Sequence, residues 1–495
     1  MDKLGPILRR LNSSAVVWSW AFNGLRLTSG IFLLPLLLHN LPKPEFGMYY
    51  VFLSVIALLP ILDFGFSSAI GRFVSYAMAG ATTLRAQGFV PSDTGTHAPN
   101  LALLWRLLHT TRALYRYLAL GGLLAMGAWG TQLVHSKVGE TGSPTLTWLA
   151  WAVTLGAATF ELYSNWWNTF LICMNRVLEG TRIGFTSYAV RVALVCLLLA
   201  GGWGLLSVPI GTIAGSVLSR TLSRRNCLRI LGPQPETAAG FSNASLLKIL
   251  WPNSWRVGLQ LFSNYLRTNA NTAICVSYFG LAATAEYGLS VQLINIASGM
   301  AAVWTYVKWP RIGQLRSNQD LQGLRKLIWP RVWLRTLSFV TLAGAAILAG
   351  PWALTWIGTD KQMLPAAWLV WLAVTALLDM GFNFWGTLLS YENRIPTLWP
   401  TVATNVASLG LALGVCHYTT MGVLGLVLAP LLSGIVFNYW YWPAAGAKSI
   451  GVSWLRFTFS LPPPRTAGTQ IKGVKTSPSV TAKTENPRST LQKGS

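Results

Sequence analysis

The sequence predicts an all-α integral membrane protein whose twelve transmembrane helices form two parallel six-helix repeats. Three observations carry that expectation. Hydrophobic residues make up 52% of the 495 and charged ones only 11%, with 24 Trp and a mean hydropathy of +0.45, which is the profile of a membrane protein. Apolar stretches long enough to cross a hydrocarbon core of roughly 30 Å recur along almost the whole chain. Polar residues inside those stretches return at a nearly constant offset in the second half.

Taken in order, the stretches place spans at 13–38, 48–71, 113–134, 147–173, 183–202 and 205–222, then at 255–279, 287–307, 332–350, 364–389, 396–416 and 422–443. A hydrophilic connection from Arg220 to Pro252 separates the sixth from the seventh. The expected organisation is a lobe over 1–222, a cytoplasmic linker over 223–252, a second lobe over 253–447 and a basic tail over 448–495. The tail, LPPPRTAGTQIKGVKTSPSV and onward, is rich in Pro, Ser, Thr and Lys and reads as disordered.

The net charge of +24 raises the question of nucleic acid, and the placement of the cations answers it. With the N-terminus inside, every Lys and Arg but six lies in or beside a cytoplasmic segment. The exceptions are Lys43, Lys137 and Lys361 outside, and Arg26, Arg191 and Arg267 within spans. That asymmetry is the positive-inside rule, so the basicity reports topology with both termini cytoplasmic, then contact with anionic membrane lipids. Nucleic acid is not an expected partner. Lys3, Arg9 and Arg10 before the first apolar run imitate a secretory signal, but the run is too long and reads as a signal anchor. Five scattered cysteines without CxxC spacing argue against a disulfide frame, and five histidines share no metal-ligand spacing. No GxxxxGK[ST] loop occurs, so neither metal nor cofactor is expected.

The repeat is specific. At an offset of 241, Asn12, Ser13, Asn23, Leu25, Arg26, Glu45 and Gly47 recur as Asn253, Ser254, Asn264, Leu266, Arg267, Glu286 and Gly288. At 219, Arg106, Arg112 and Arg116 recur as Arg325, Arg331 and Arg335. At 218, ELYSNWWNTFLICMNR overlays DMGFNFWGTLLSYENR, bringing Asn175-Arg176 onto Asn393-Arg394 and Glu161 onto Asp379. An insertion near ATTLRAQGFVPSDTGTHAPN accounts for the changed offset. Six is an even number of crossings, so both halves begin on the same side. Such repeats commonly enclose a central site used in alternating access.

An arginine at the middle of a span costs about 2.5–3.5 kcal/mol, so Arg26 and Arg267 need compensation. One account is an ion pair with Asp63, Glu161 or Asp379. The other is an anionic substrate in a hydrated cavity, gripped bidentately by guanidinium groups. Glu161 and Asp379, mid-span in the fourth and tenth helices, read either as proton or sodium coupling groups or as charge balance for the arginines. Asp63, between Pro60 and Gly65, reads as a carboxylate turned to the cavity or as part of a helix bend. Glu45 and Glu286 read as acidic residues at helix starts.

The segment EFGMYYVFLSVIALLPILDFGFSSAIGRFVS, residues 45–75, follows NGLRLTSGIFLLPLLL and resembles the opening of polysaccharide biosynthesis membrane proteins. These are O-antigen and lipid-linked oligosaccharide flippases of the multidrug, oligosaccharidyl-lipid and polysaccharide exporter (MOP) superfamily. The resemblance implies a V-shaped pair of lobes in a bacterial cytoplasmic membrane and an undecaprenyl-pyrophosphate glycan as substrate. It also implies arginines on the first, second, seventh or eighth helices that engage the pyrophosphate. Arg26 and Arg267 fit that pattern; Arg72, and Arg311 beside Lys308, fit it near the cytoplasmic ends. A proton or sodium ion for coupling, and a glycan polymerase or ligase as neighbour, are the partners it allows. Two alternatives stand beside it. A multidrug or cation antiporter of the same superfamily would work through the acids. A membrane glycosyltransferase or polymerase is disfavoured by the short external connections, so the chain is not expected to be an enzyme.

Overall fold

The computed structural model describes residues 15–81, 99–235, 243–317, 320–390, 396–454 and 457. The N-terminal cations, the insertion at 82–98, Arg394 and the tail beyond 457 lie outside the described residues. Among the described residues all regular structure is helical.

The first span is Ala15–Asn40. The second begins as Lys43–Ile56, passes through the single turn Leu59–Leu62 and resumes as Phe66–Met78. Its bend has a local cause. Phe64 and Gly65 both take positive φ (49° and 71°), and Asp63 fastens the turn by accepting from the Ser67 hydroxyl at 2.8 Å and backbone N–H at 3.3 Å. The Tyr115 hydroxyl, from the third span, also donates to Asp63. Of the two sequence-based accounts of Asp63, these bonds favour the bend.

The third span, Leu101–Lys137, and the ninth, Leu321–Ile357, are both 37 residues long. Each starts with a side-chain cap: Asn100 accepts from Leu103 N at 3.0 Å and Asp320 from Gly323 N at 2.8 Å. Both extend well before the apolar stretch that marks them in the sequence, because Arg106, Arg112 and Arg325, Arg331 continue the helix beyond the apolar slab. The fourth span is Pro144–Ser164 continued by Trp166–Cys173; it ends at Asn175, whose φ of 64° suits a left-handed helix stop. The fifth and sixth are Val177–Ala200 and Ser207–Leu231. The sixth runs past the boundary expected at 222, so the linker is shorter than its hydrophilicity suggests.

The seventh span, Asn243–Thr268, passes with a slight break into Ala270–Tyr306, which holds the end of the seventh and all of the eighth. The chain reverses at Gly280 (φ 80°, ψ −177°), a conformation that a β-carbon would oppose. Contacts with the second span confirm the reversal: Tyr265 bonds Ser54 and Val257 meets Gly65 on one side of it, whereas Leu281 meets Gly47 and Gly288 meets Tyr50 on the other. The tenth and eleventh spans are Ala366–Ser390 and Leu398–Tyr418, and the twelfth is Val423–Val436 with Asn438–Ser449, bent by 43°.

Nine helices are long and apolar enough to cross a membrane among the described residues, or ten with the bent pair. Counting two passes in Ser254–Tyr306 and the broken fourth span gives the expected twelve.

Packing is divided between halves and joined at one seam. One buried cluster, including Phe73, Trp166 and Phe170, is drawn from the first half with Leu250 of the seventh span added, and clusters around Phe384 and Phe339 belong to the second. A further cluster crosses over, uniting Leu37, Phe46, Val51 and Trp151 with Val276, Leu281 and Leu289. At that seam the repeat-related Gly47 and Gly288 both sit at helix crossings. A Cβ on Gly47 would overlap the Leu281 carbonyl, and one on Gly288 would overlap the Tyr50 ring. Small residues permit such approach where lipid gives no hydrophobic drive between helices.

Candidate functional site between the lobes

A cavity of about 600 Å³ lies between the halves, lined by the first, second, seventh, eighth, tenth and twelfth spans. Its charged lining residues are Arg26, Arg267 and Asp379. Arg267 occupies the last turn of Asn243–Thr268, where the helix dipole favours a cation. Its guanidinium forms an ion pair with Asp379 of the tenth span, and the Tyr439 hydroxyl of the twelfth donates to the same carboxylate oxygen at 2.8 Å. The paired side chains are 13% and 20% exposed, low enough for the interaction to escape most solvent screening.

Arg26 stands in the equivalent place on the first span, yet it is exposed, and among the described residues no carboxylate bonds it. Neutral polar groups complete the lining, among them Asn269, Asn271, Gln292 and Thr375. The wall between halves is stitched by Tyr50, which donates to Gln292 at 2.7 Å, and by Tyr265, which donates to the Ser54 carbonyl at 3.1 Å.

Glu161, the repeat partner of Asp379, is elsewhere. It lines a separate cavity of about 50 Å³ inside the first half together with Tyr49, Thr154, Arg191 and Thr212. The sequence symmetry of the two arginine–acid pairs is therefore broken in space. Arg191, which has no counterpart in the second half, occupies the surroundings of Glu161 in place of Arg26. Arg72 and Arg311 are exposed and do not line the central cavity; Asp63 is taken up in the bend. Sequence reasoning missed Tyr439, a tyrosine in the aromatic run YWYW that carries no repeat signature. It matched Arg335 to Arg116 but did not foresee its burial: only 4% exposed, Arg335 donates to the Met380 carbonyl at 3.2 Å and lies over the Phe384 ring at 5.1 Å.

One end of the bundle, termed the basic end, carries Arg72, Arg176, Arg224 and Arg316; the other is clasped. There Lys43 pairs with Glu286 at 2.8 Å, so Glu286 serves as a partner across the seam and not as a helix-start charge. Glu45 accepts from Gly142 N at 2.9 Å and Glu140 from Leu281 N at 2.9 Å. Lys361, 6% exposed, donates to the Leu38 carbonyl at 2.7 Å and lies 3.1 Å from Asp360, and its hydrogen bond to Asp360 holds that carboxyl below the usual carboxylate range. Three of these contacts join one half to the other. Towards the basic end the first and eighth spans part. A second space of about 600 Å³ opens there, bordered by Trp20, Gly24 and Thr28 on one side and by Met300, Trp304 and Lys308 on the other.

The fold and this interlobe cavity define a class, an all-helical multi-pass membrane bundle whose two halves enclose a cavity. No family model matches the sequence, and no curated protein compared with it matches. Solved structures do. The chain is similar to an inward-facing multidrug resistance MATE family transporter of the MOP superfamily, at 18% identity and a TM-score of 0.55 over 87% of this chain and 94% of that one. An outward-facing form of such a transporter gives 16% and 0.54 over 89% and 97%. A MOP superfamily transporter from Pyrococcus furiosus, described as having a binding pocket of reverse polarity that suggests a different function, gives 15% and 0.53 over 90% and 98%. At such identities the likeness speaks for the fold.

Proposed function

We propose that this chain is a membrane transporter that moves an anionic lipid-linked oligosaccharide, of the undecaprenyl-pyrophosphate class, across a bacterial cytoplasmic membrane by alternating access. The carrying observation is that the cavity's one lining carboxylate, Asp379, is already engaged by Arg267 and Tyr439 while Arg26 is not engaged by any acid among the described residues. Two arginines and one aspartate leave the lining with a formal surplus of one positive charge. A cavity so lined attracts phosphate oxygens and repels a cationic drug.

The side opening supports a lipid-linked cargo. Its walls are apolar and aromatic, with Lys308 and Arg331 towards the basic end, so a polyprenyl chain can remain in the bilayer while its pyrophosphate reaches Arg26. In this reading the basic end is cytoplasmic, both termini are inside, and residues 1–222 and 253–447 rock about the seam. Asp379 then balances Arg267 and can exchange a proton or sodium ion as the lobes move. Arg72 and Arg311 act at the cytoplasmic rim, meeting the headgroup before it enters.

The neighbours described as multidrug transporters favour a second reading, a cation antiporter working through Asp379. The two readings separate in a binding experiment. Quenching of tryptophan fluorescence by a short-chain prenyl pyrophosphate is expected to weaken at least tenfold in Arg26→Gln. Unchanged quenching, with tight binding of a cationic dye that needs Asp379, would overturn the anionic assignment.

A further inference from the structure

The sixth span carries a second basic site that shares no residue with the central cavity. Arg220 and Arg224 lie one turn apart on Ser207–Leu231, Arg225 follows Arg224, and all three border one groove. Together with Phe160, Val217 and Leu228 they border a groove of about 600 Å³ against Pro144–Ser164 of the fourth span.

Two features show that the arginines are not consumed by the fold. The Arg220 guanidinium rests 4.7 Å from the Tyr163 ring centroid and 5.3 Å from that of Phe160, contacts that orient the group without neutralising it. Arg224 and Arg225 are exposed, and among the described residues no acid pairs with them. Glu179, an acid that reaches the sixth span, is occupied by Arg176 at 3.4 Å and Arg229 at 3.9 Å.

The groove also has an apolar part: Val217, 44% exposed, and Phe160 lie beside Arg220, and eight residues along the helix, about 12 Å, lead from Val217 to Arg225, with Leu228 beyond it. A cationic rim continuous with an apolar floor matches a molecule with a phosphate head and a hydrocarbon tail. Guanidinium forks bind a phosphodiester bidentately, and an acyl chain covers Val217. We infer that this groove is a binding site for an anionic glycerophospholipid of the leaflet at the basic end, with Arg224 and Arg225 on the phosphate and Arg220 held beside it by the two rings.

The test uses the full-length chain purified in a neutral detergent, with native mass spectrometry to count bound lipid. Phosphatidylglycerol is expected to be retained at least threefold over phosphatidylcholine of the same acyl chains. Arg224→Gln/Arg225→Gln is expected to abolish that preference and leave phosphatidylcholine retention unchanged, while the control Lys248→Gln/Lys326→Gln keeps it. Equal retention in both double variants, or equal loss in both, overturns the site. Inorganic phosphate that displaces phosphatidylglycerol and stabilises the protein equally well would make the groove a soluble-anion site, which also overturns it. Should the variant fail to fold, a photoactivatable phosphatidylglycerol on the unaltered protein decides: label within 217–228 supports the site, and label elsewhere refutes it.

Discussion

Arg267 and Asp379 form an ion pair across the seventh and tenth spans, completed by Tyr439, whereas Arg26 and Glu161, which occupy the equivalent places in the first half, face different cavities. Two halves with matching sequence thus hold their central arginines in different states. One guanidinium is anchored, and the other is available to a ligand.

Removing the anchored cation alone leaves a carboxylate with one tyrosine as its bonding partner. Arg267→Gln is expected to lower stability by about 3 kcal/mol, the scale for breaking a largely buried pair. Arg267→Gln/Asp379→Asn is expected to recover most of that loss, because neither charge is then stranded. Thermal unfolding in detergent of the two variants and the parent measures the difference; a double variant no more stable than the single one would contradict the pairing.

Among the described residues no acid pairs with Arg26. Arg26→Gln is expected to change stability by no more than about 0.5 kcal/mol, as for an exposed position. Its effect falls on ligand affinity instead, with a loss of about 1.5–3 kcal/mol for a charge-assisted bond to phosphate. Substrate titration beside thermal unfolding separates the two quantities, and a variant that unfolds early while binding normally would reverse the roles of the arginines.

The clasp should act as a latch. Glu140→Ala removes the acceptor of the Leu281 N–H, and Lys361→Met removes the donor to Leu38. Each is expected to shift the open fraction of the clasped end by about fivefold to thirtyfold, from roughly 1–2 kcal/mol per bond lost. Distances between spin labels on the first and ninth spans report it. The sign of its pH dependence follows from Asp360. A carboxyl held below its ordinary value contributes above the unfolded pKa of about 3.9 and loses that contribution only on acidification through its lower folded value. The label distances should therefore not respond to Asp360 between about pH 5 and 8.

Gly47 and Gly288 fix how closely the halves meet. Gly47→Ala places a methyl against the Leu281 carbonyl, which is backbone and cannot rotate away, whereas Gly288→Ala meets the Tyr50 ring, which can tilt. Gly47→Ala is expected to cost more, in the range of about 1–3 kcal/mol for overpacking. Unfolding midpoints of the two variants check the order.

Much of this architecture was legible in the sequence because the bilayer imposes a length and the repeat imposes a correspondence. Arg26 with Arg267 and Gly47 with Gly288 were visible as matched positions, and the structure brings both pairs to the seam. The bend at Asp63 was half legible: Pro60 and Gly65 announced it, but the Tyr115 hydroxyl comes from a span that no local pattern connects to it. The separation of Glu161 from Arg26 was not legible, since matched residues in the two halves say nothing of Arg191 entering one of them. Arg335 escaped for a related reason. Its twin Arg116 is exposed, and only the Phe384 ring and the Met380 carbonyl, brought in by the tenth span, make the second position a buried one.

The central claim is that the cavity carries an anionic lipid-linked glycan, and flipping in proteoliposomes tests it most directly. The full chain is reconstituted with a fluorescent undecaprenyl-pyrophosphate oligosaccharide, and a membrane-impermeant quencher reports how much reaches the opposite leaflet. The protein is expected to move the lipid, Arg26→Gln to slow it at least tenfold, and a tetraalkylammonium dye to remain where it was placed. Transport of the dye, with no movement of the glycan lipid and no effect of Arg26→Gln, would contradict the account.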